Sequence, residues 1–325
     1  MRSALKTATF AIIVTFCCVY AQNIGTVEHM QRGWMKFENG LILSWQIVSS
    51  DAAVSQVRVF DKEGHLVTSL NVLRLVPDAK SVSIYDVSAR TGQVIAVAAV
   101  YSNKEGNLRV RPTSTLQLYD LNGRLLSFFS LAPSREIQRL AVDENSNVWT
   151  LTAHADDKDP ATMPMVVEYA ADGSVAQEML MRNAFPMHAA EIRESSAIGS
   201  ATIGHDSSRT LWFWLPGSTD LVTIDSAGAV SITKTGIPRD TEGQYELPVN
   251  VFRETSGNVV AEFREGEDAA KLGIAYYTWS PTTKSWTQFR PGVCNGDWLI
   301  GVSDKEQIYV GQELSRSNIC TFTPR

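Results

Sequence analysis

Short runs of alternating apolar and polar residues recur along almost the whole chain, each broken by a turn. Residues 57–60 run into Asp61-Lys62-Glu63-Gly64, 116–119 into Asp120-Leu121-Asn122-Gly123, 166–169 into Ala170-Ala171-Asp172-Gly173, and 221–224 into Asp225-Ser226-Ala227-Gly228. A worn copy takes 276–279 into Ser280-Pro281-Thr282-Thr283. Period-2 alternation marks a strand with two distinct faces, and Asp, Asn, Ser and Gly at the breaks tolerate the positive φ of tight turns. Each copy therefore predicts a β-hairpin.

A second hairpin phrase lies between these copies, with turns at Asn39-Gly40, Thr91-Gly92, Asn145-Ser146-Asn147, Ser207-Ser208-Arg209, Ser256-Gly257 and Lys305-Glu306. The glycines of the first phrase, Gly64, Gly123, Gly173 and Gly228, step by 59, 50 and 55 residues. A period of this size implies an array of small sheets rather than one mixed core. Two hairpins make a four-stranded antiparallel blade, and radial blades make an all-β propeller. The second phrase occurs six times and the first only five. After the last hairpin one more strand fits, near 318–322, while residues 24–30 alternate but belong to no hairpin. The N-terminal strand is therefore expected to complete the last blade, which removes the two open edges of an unclosed array. Six blades follow from this count, with seven as the competing number.

Composition narrows the setting. Arg2 and Lys6 precede an apolar stretch at 8–19, and Val19-Tyr20-Ala21 offers a cleavage site, the pattern of a secretory signal peptide over 1–21. That leaves one propeller domain over 22–325 and a secreted or periplasmic location. Cys17 follows Phe16, where a lipid-anchor motif needs a small residue. Removing Arg2 and Lys6 with the leader moves the net charge from −6 to −8. Nucleic-acid and anionic-membrane partners, which need a basic footprint, are disfavoured. No later apolar run is long enough to span a membrane, so no stable span is expected; a monomer is the expected state. Cys294 and Cys320 both fall in the last blade. In an oxidising compartment they are expected to pair and pin the closure; the alternative is two buried free thiols.

Leu140-Ala141-Val142-Asp143-Glu144-Asn145-Ser146-Asn147-Val148-Trp149, followed by Val167-Glu168-Tyr169 and Asp172-Gly173, resembles one repeat of the NHL type. Leu211-Trp212-Phe213 leading to Leu221-Val222-Thr223-Ile224-Asp225 and Gly228 is similar to the repeat of streptogramin-lyase-like propellers. The resemblance implies a six-bladed propeller from a group that includes binding and scaffold proteins, lactonases of the gluconolactonase type, and lyases. It does not choose among them. Trp214-Leu215-Pro216 stands where the lyase-like repeat tends to carry an acidic residue, and no Glu, Asn and Asp set matches the lactonase metal cage.

Candidate chemistry is sparse. Glu38, Asp143 and Asp304 read as turn residues that cap local backbone N–H groups. Trp149, Trp212, Trp214, Trp279 and Trp286 read as packing between blades, and His29, His65, His188 and His205 are scattered without metal-ligand spacing. Rim geometry is more informative. The hairpin turns lie on one rim and are short, whereas the connections at 101–115, 152–165, 181–200 and 263–274 lie on the other and are long. Binding concentrates on long loops held by a rigid scaffold. Arg109 and Arg111, with His154, Asp156, Asp157 and Asp159 on the next connection, form the candidate surface. The expected function is a binding or scaffold protein for a protein or small polar ligand, with no catalytic residue and no cofactor. The alternative is a lactonase-like hydrolase or lyase using a divalent cation such as calcium in the central channel.

Overall fold

The computed structural model describes residues 21–28, 33–90, 92–102, 114–131, 135–154, 164–181, 202–205, 210–215, 219–238, 248–264, 274–290, 297–303, 306–312 and 316–323. Six antiparallel sheets follow one another around an axis. Strand β1 (Ala21–Glu28) is set apart from its sequence neighbours. The first blade consists of β2 (Gly33–Glu38), β3 (Leu41–Gln46), β5 (Val57–Asp61) and β6 (Leu66–Leu70), and a two-residue β4 (Val48–Ser49) leaves it for the next sheet. The second blade is β7 (Ser81–Ala89), β8 (Val94–Ser102), β9 (Thr115–Asp120) and β10 (Leu125–Ser130). The third is β11 (Arg135–Val142), β12 (Val148–His154), β13 (Pro164–Tyr169) and β14 (Val175–Met181). The fourth is β15 (Thr202–His205), β16 (Leu211–Leu215), β17 (Asp220–Ile224) and β18 (Val230–Lys234). The fifth is β19 (Pro248–Arg253), β20 (Val259–Arg264), β21 (Ile274–Ser280) and β22 (Ser285–Phe289). The sixth contributes β23 (Asp297–Val302), β24 (Gln307–Gln312) and β25 (Arg316–Phe322), and β1 is its outer strand.

Ring closure is as the unpaired N-terminal strand implied. β1 pairs antiparallel with β25 from Ala21 against Phe322 to Glu28 against Arg316. Its bounds are Ala21–Glu28, so the strand begins three residues earlier than the alternation at 24–30. β1 also sits tightly on the first blade. A Cβ on Gly25 would lie 1.9 Å from the Glu63 carbonyl oxygen, and one on Gly64 (φ +91°) 2.3 Å from that of Thr26. Arg58 Nη1 reaches Glu28 Oε2 at 2.6 Å, and Lys62 pairs with Glu306 across the same junction.

Packing follows from alternation. In β8, Ile95, Val97, Ala99 and Tyr101 join Leu43, Val59 and Ile84 between blades one and two. Val94, Ala96 and Ala98 from the same strand join Ile137, Leu140 and Val167 between blades two and three. Four more clusters fill the remaining interfaces, ending with Val27, Phe37, Ile42, Ile300 and Ile319 between blades six and one. The core is thus a ring of six apolar layers. Each fully buried Val, Leu or Ile contributes roughly 1.5–3 kcal/mol.

Two features were not legible beforehand. β4 lies along the inner edge of β7, with Val48 opposite Ser83 and Ile84 N–H donating to the Ile47 carbonyl at 2.9 Å. This lays the connection after β3 against the channel side of blade two. Buried Gln56 organises that connection: its amide donates to the carbonyls of Asp51 and Val54 while its oxygen accepts Leu73 N–H. Second, the register shifts in four of the six innermost strands, at Tyr85 of β7, Gln138 of β11, Val249 of β19 and Ile300 of β23. A bulge leaves one residue unpaired and re-aims its side chain.

Candidate functional site

The first strand of each blade faces the axis, and the space between them forms two chambers. The upper chamber, of about 430 Å³, is lined by residues from the starts and middles of these strands, hence toward the long-connection rim. Trp34, Lys36, Tyr85, Asp86, Gln138 and Arg139 line one side, and Ile203, Pro248, Val249, Asn250 and Phe252 the other. Tyr85, Gln138 and Val249 are all bulge residues, so the register shifts furnish part of the lining. The lower chamber, of about 320 Å³, lies at the hairpin-turn rim among Glu38, Asn39, Arg90, His205, Trp212 and Arg253. Lys36, Ile203 and Phe252 line both and form the partition.

A charged network joins blades one, two and three across the channel wall. Lys36 Nζ lies 3.2 Å from Glu38 Oε2 and 3.4 Å from Asp86 Oδ1, and all three side chains are largely buried. Asp86 Oδ2 accepts Leu140 N–H at 2.8 Å and Oδ1 accepts Val87 N–H at 2.9 Å, so the carboxylate also fastens blade two to blade three. Ser88 Oγ repeats the connection, donating to Glu38 Oε1 and accepting Val142 N–H, both at 2.9 Å. Burial pulls the Lys36 ammonium pKa down, but Asp86 first and Glu38 second outweigh it and leave it raised. Burial pushes Glu38 up, against the pull of Lys36. For Arg139 burial lowers the pKa and Asp86 opposes the shift. Its Nη1 donates to the Gln138 carbonyl at 2.6 Å. Across the ring, buried Glu262 accepts Leu299 N–H at 2.8 Å and the Asn250 amide at 3.1 Å, the same kind of fastener between blades five and six.

The sequence-derived candidates fare unequally. Arg109, Arg111, Asp156, Asp157 and Asp159 lie outside the described residues, in the β8–β9 and β12–β13 connections. His154 is the last residue of β12, where its backbone pairs opposite Arg135. Cys294 lies outside the described residues, whereas Cys320 is buried in β25. Asp143 is a turn residue as expected: Oδ1 accepts the N–H groups of Asn145 and Asn147, and Oδ2 the Trp149 indole N–H. Glu38 is a correction. It ends β2 just before Asn39-Gly40 and joins the channel network rather than capping the turn, because Lys36 on the same strand face and Ser88 of blade two engage its carboxylate. Asp304 lies outside the described residues.

Among the tryptophans, Trp214 and Trp279 are buried between blades four and five, as packing predicts. Trp212 belongs to that cluster and also touches the lower chamber. Trp34 and Trp45 line the upper chamber, and Trp34, 44% exposed, is the one open to it; the sequence singled out neither. Lys36, Asp86 and Arg139 were missed too. Their signal was charge on the first strand of a blade, with Lys36 and Glu38 two residues apart and so on one strand face. Among the described residues no group of three or more His, Cys, Asp or Glu is placed to hold a metal ion. No described helix is long and apolar enough to cross a membrane.

The chain is a six-bladed β-propeller. No protein-family model and no curated protein matches it. Solved structures with a similar fold include a glucose dehydrogenase, at 10% identity and a TM-score of 0.50, covering 94% of this chain and 100% of that one. A streptogramin B lyase aligns at 11% identity with a TM-score of 0.46, over 94% of this chain and 97% of that one. A luciferin-regenerating enzyme aligns at 11% identity and 0.49, over 94% and 95%. At 10–11% identity these are likenesses of fold alone, and the six-bladed fold itself is seen in the chain's own sheets. They do not select a function.

Proposed function

We propose that the protein is an exported binding propeller that takes its ligand or partner at the long-connection rim, where the upper chamber opens. The observation that carries this reading is a chamber of about 430 Å³ bounded by buried charges on one side and apolar side chains on the other. A concave, mostly apolar site with a few fixed polar groups is the usual form of a small-molecule site. The β8–β9 connection, carrying Arg109 and Arg111, and the β12–β13 connection, carrying Asp156, Asp157 and Asp159 after His154 at the end of β12, leave blades two and three at the same rim. Opposite charges on neighbouring connections orient a polar partner more than they add affinity.

The test is capture from the extracytoplasmic fraction, comparing wild type with Arg109→Glu/Arg111→Glu and with Trp34→Ala at matched melting temperatures. Loss of capture in either variant supports the reading. Equal capture by all three, or loss only when Gly64 or Gly123 on the opposite rim is replaced by a bulky charge, would place the functional face elsewhere. Metal analysis of the purified protein addresses the hydrolase or lyase alternative: a stoichiometric divalent cation that survives dialysis would favour it.

A further inference from the structure

The charged side chains that line the upper chamber all lie on one side of it. Blades one to three present Lys36, Asp86 and Arg139, while Ile203, Val249 and Phe252 from blades four and five face them. Trp34 and Val249 are 44% and 49% exposed, large apolar surfaces on a concave face rather than a convex one. Apolar surface left open in a concavity marks a place where something is bound.

The charge balance of the channel runs against that of the chain. Among the described residues, the upper chamber's own lining carries Lys36 and Arg139 against the single carboxylate Asp86, with Glu38 behind Lys36 in the lower chamber. This cationic excess sits inside a protein of net charge −6. Asp86 Oδ2 accepts Leu140 N–H from blade three and Oδ1 accepts Val87 N–H, so both of its oxygens are already engaged by the protein. Such a balance favours a ligand with a single negative charge, because polyanions need a broader basic surface.

We propose that the upper chamber binds an organic acid with an apolar body, its anionic group toward Lys36 and Arg139 and its body on Trp34, Val249 and Phe252. This rests on the chamber being the binding site. A planar guanidinium suits a carboxylate or sulfonate, which it can meet with two parallel hydrogen bonds. A neutral sugar or amide is the competing ligand class.

The probe is 1-anilinonaphthalene-8-sulfonate, titrated by fluorescence into the folded mature chain. Binding should saturate near one per chain and weaken on Trp34→Ala. Arg139→Gln should weaken it about tenfold or more, the scale of one charge-assisted hydrogen bond, with Arg139→Lys in between. On wild type alone, 2-naphthoate should displace the probe at roughly tenfold lower concentration than the isosteric, uncharged 2-naphthamide. This comparison needs no variant, so it decides even if Arg139→Gln fails to fold. Equal displacement by naphthoate and naphthamide, with Trp34→Ala still weakening the probe, overturns the organic-acid proposal and leaves the chamber as the site. No saturable binding and no effect of Trp34→Ala overturns the chamber itself.

Discussion

One aspartate position recurs in the outer turns and does the same work each time. Asp120 Oδ1 accepts the N–H groups of Asn122 and Arg124, and Asp225 Oδ1 those of Ala227 and Ala229. Asp143 does so at an inner hairpin and adds the Trp149 indole, so Asp143→Ala should cost about 2–3 kcal/mol in urea unfolding, with Asp143→Asn costing less. The Arg124 backbone N–H foremost, then Asn122 and the Arg124 guanidinium, hold Asp120 below the usual carboxylate range. A carboxylate depressed in the folded state stabilises above its unfolded pKa of about 3.9 and loses that contribution as pH falls through the lower folded value. Acid titration of stability should therefore be shallower below about pH 4 in Asp120→Asn than in wild type. Lys36 is a different case, because it is buried between two carboxylates. Lys36→Met strands Glu38 and Asp86 without their cation and should cost about 3–5 kcal/mol, measured as a loss in urea midpoint.

At the scale of strands, the alternation that in most sheets separates core from solvent here separates one neighbour from the other, as β8 does between blades one and three. Besides the two-residue β4, the described strand that breaks sequence order is β1, which pairs with β25 and packs on the turn before Gly64. Deleting residues 21–28 should open the edge of β25 and replace one cooperative melt with a broad, aggregating one; an unchanged melt would contradict the closure role. Gly25→Val should mimic much of the deletion, since the Glu63 carbonyl occupies the space its side chain needs. The Cys294–Cys320 pairing remains a proposal with the same purpose. If it forms, the denatured, unreduced mature protein should titrate no free thiol, and reduction should lower the melting temperature by the equivalent of about 2–4 kcal/mol. Two titratable thiols would remove it.

At the scale of the molecule, a ring of similar blades produces an axial space that none of them owns. Its charged wall draws on three blades, and the bulges at Tyr85, Gln138 and Val249 differ from strand to strand, so the channel is asymmetric although the repeats are alike. The hairpins, their order and the closing strand were legible in sequence because period-2 alternation and turn residues are local signals. The candidate site was legible only as a rim. Glu38 looked like Asp143, an acid beside a glycine- or serine-bearing turn, and the one nearby mark that set it apart was Lys36, two residues away on the same strand face. The difference lies in Lys36 and in Ser88, which is fifty positions away.

The sequence by itself determined the all-β class, the four-strand repeat, six blades with an N-terminal closing strand, and the rim bearing the long connections. All of these depend on the order of strands and turns along the chain. Only the tertiary structure decided that Trp34, Lys36, Asp86 and Arg139 share a chamber, that Ile47 just before β4 borders it, and that Ile203 and Phe252 face the charged wall. Those relations depend on closure of the ring, which brings residues more than two hundred positions apart to the same axis, and on single-residue register shifts that leave no mark in an alternating pattern.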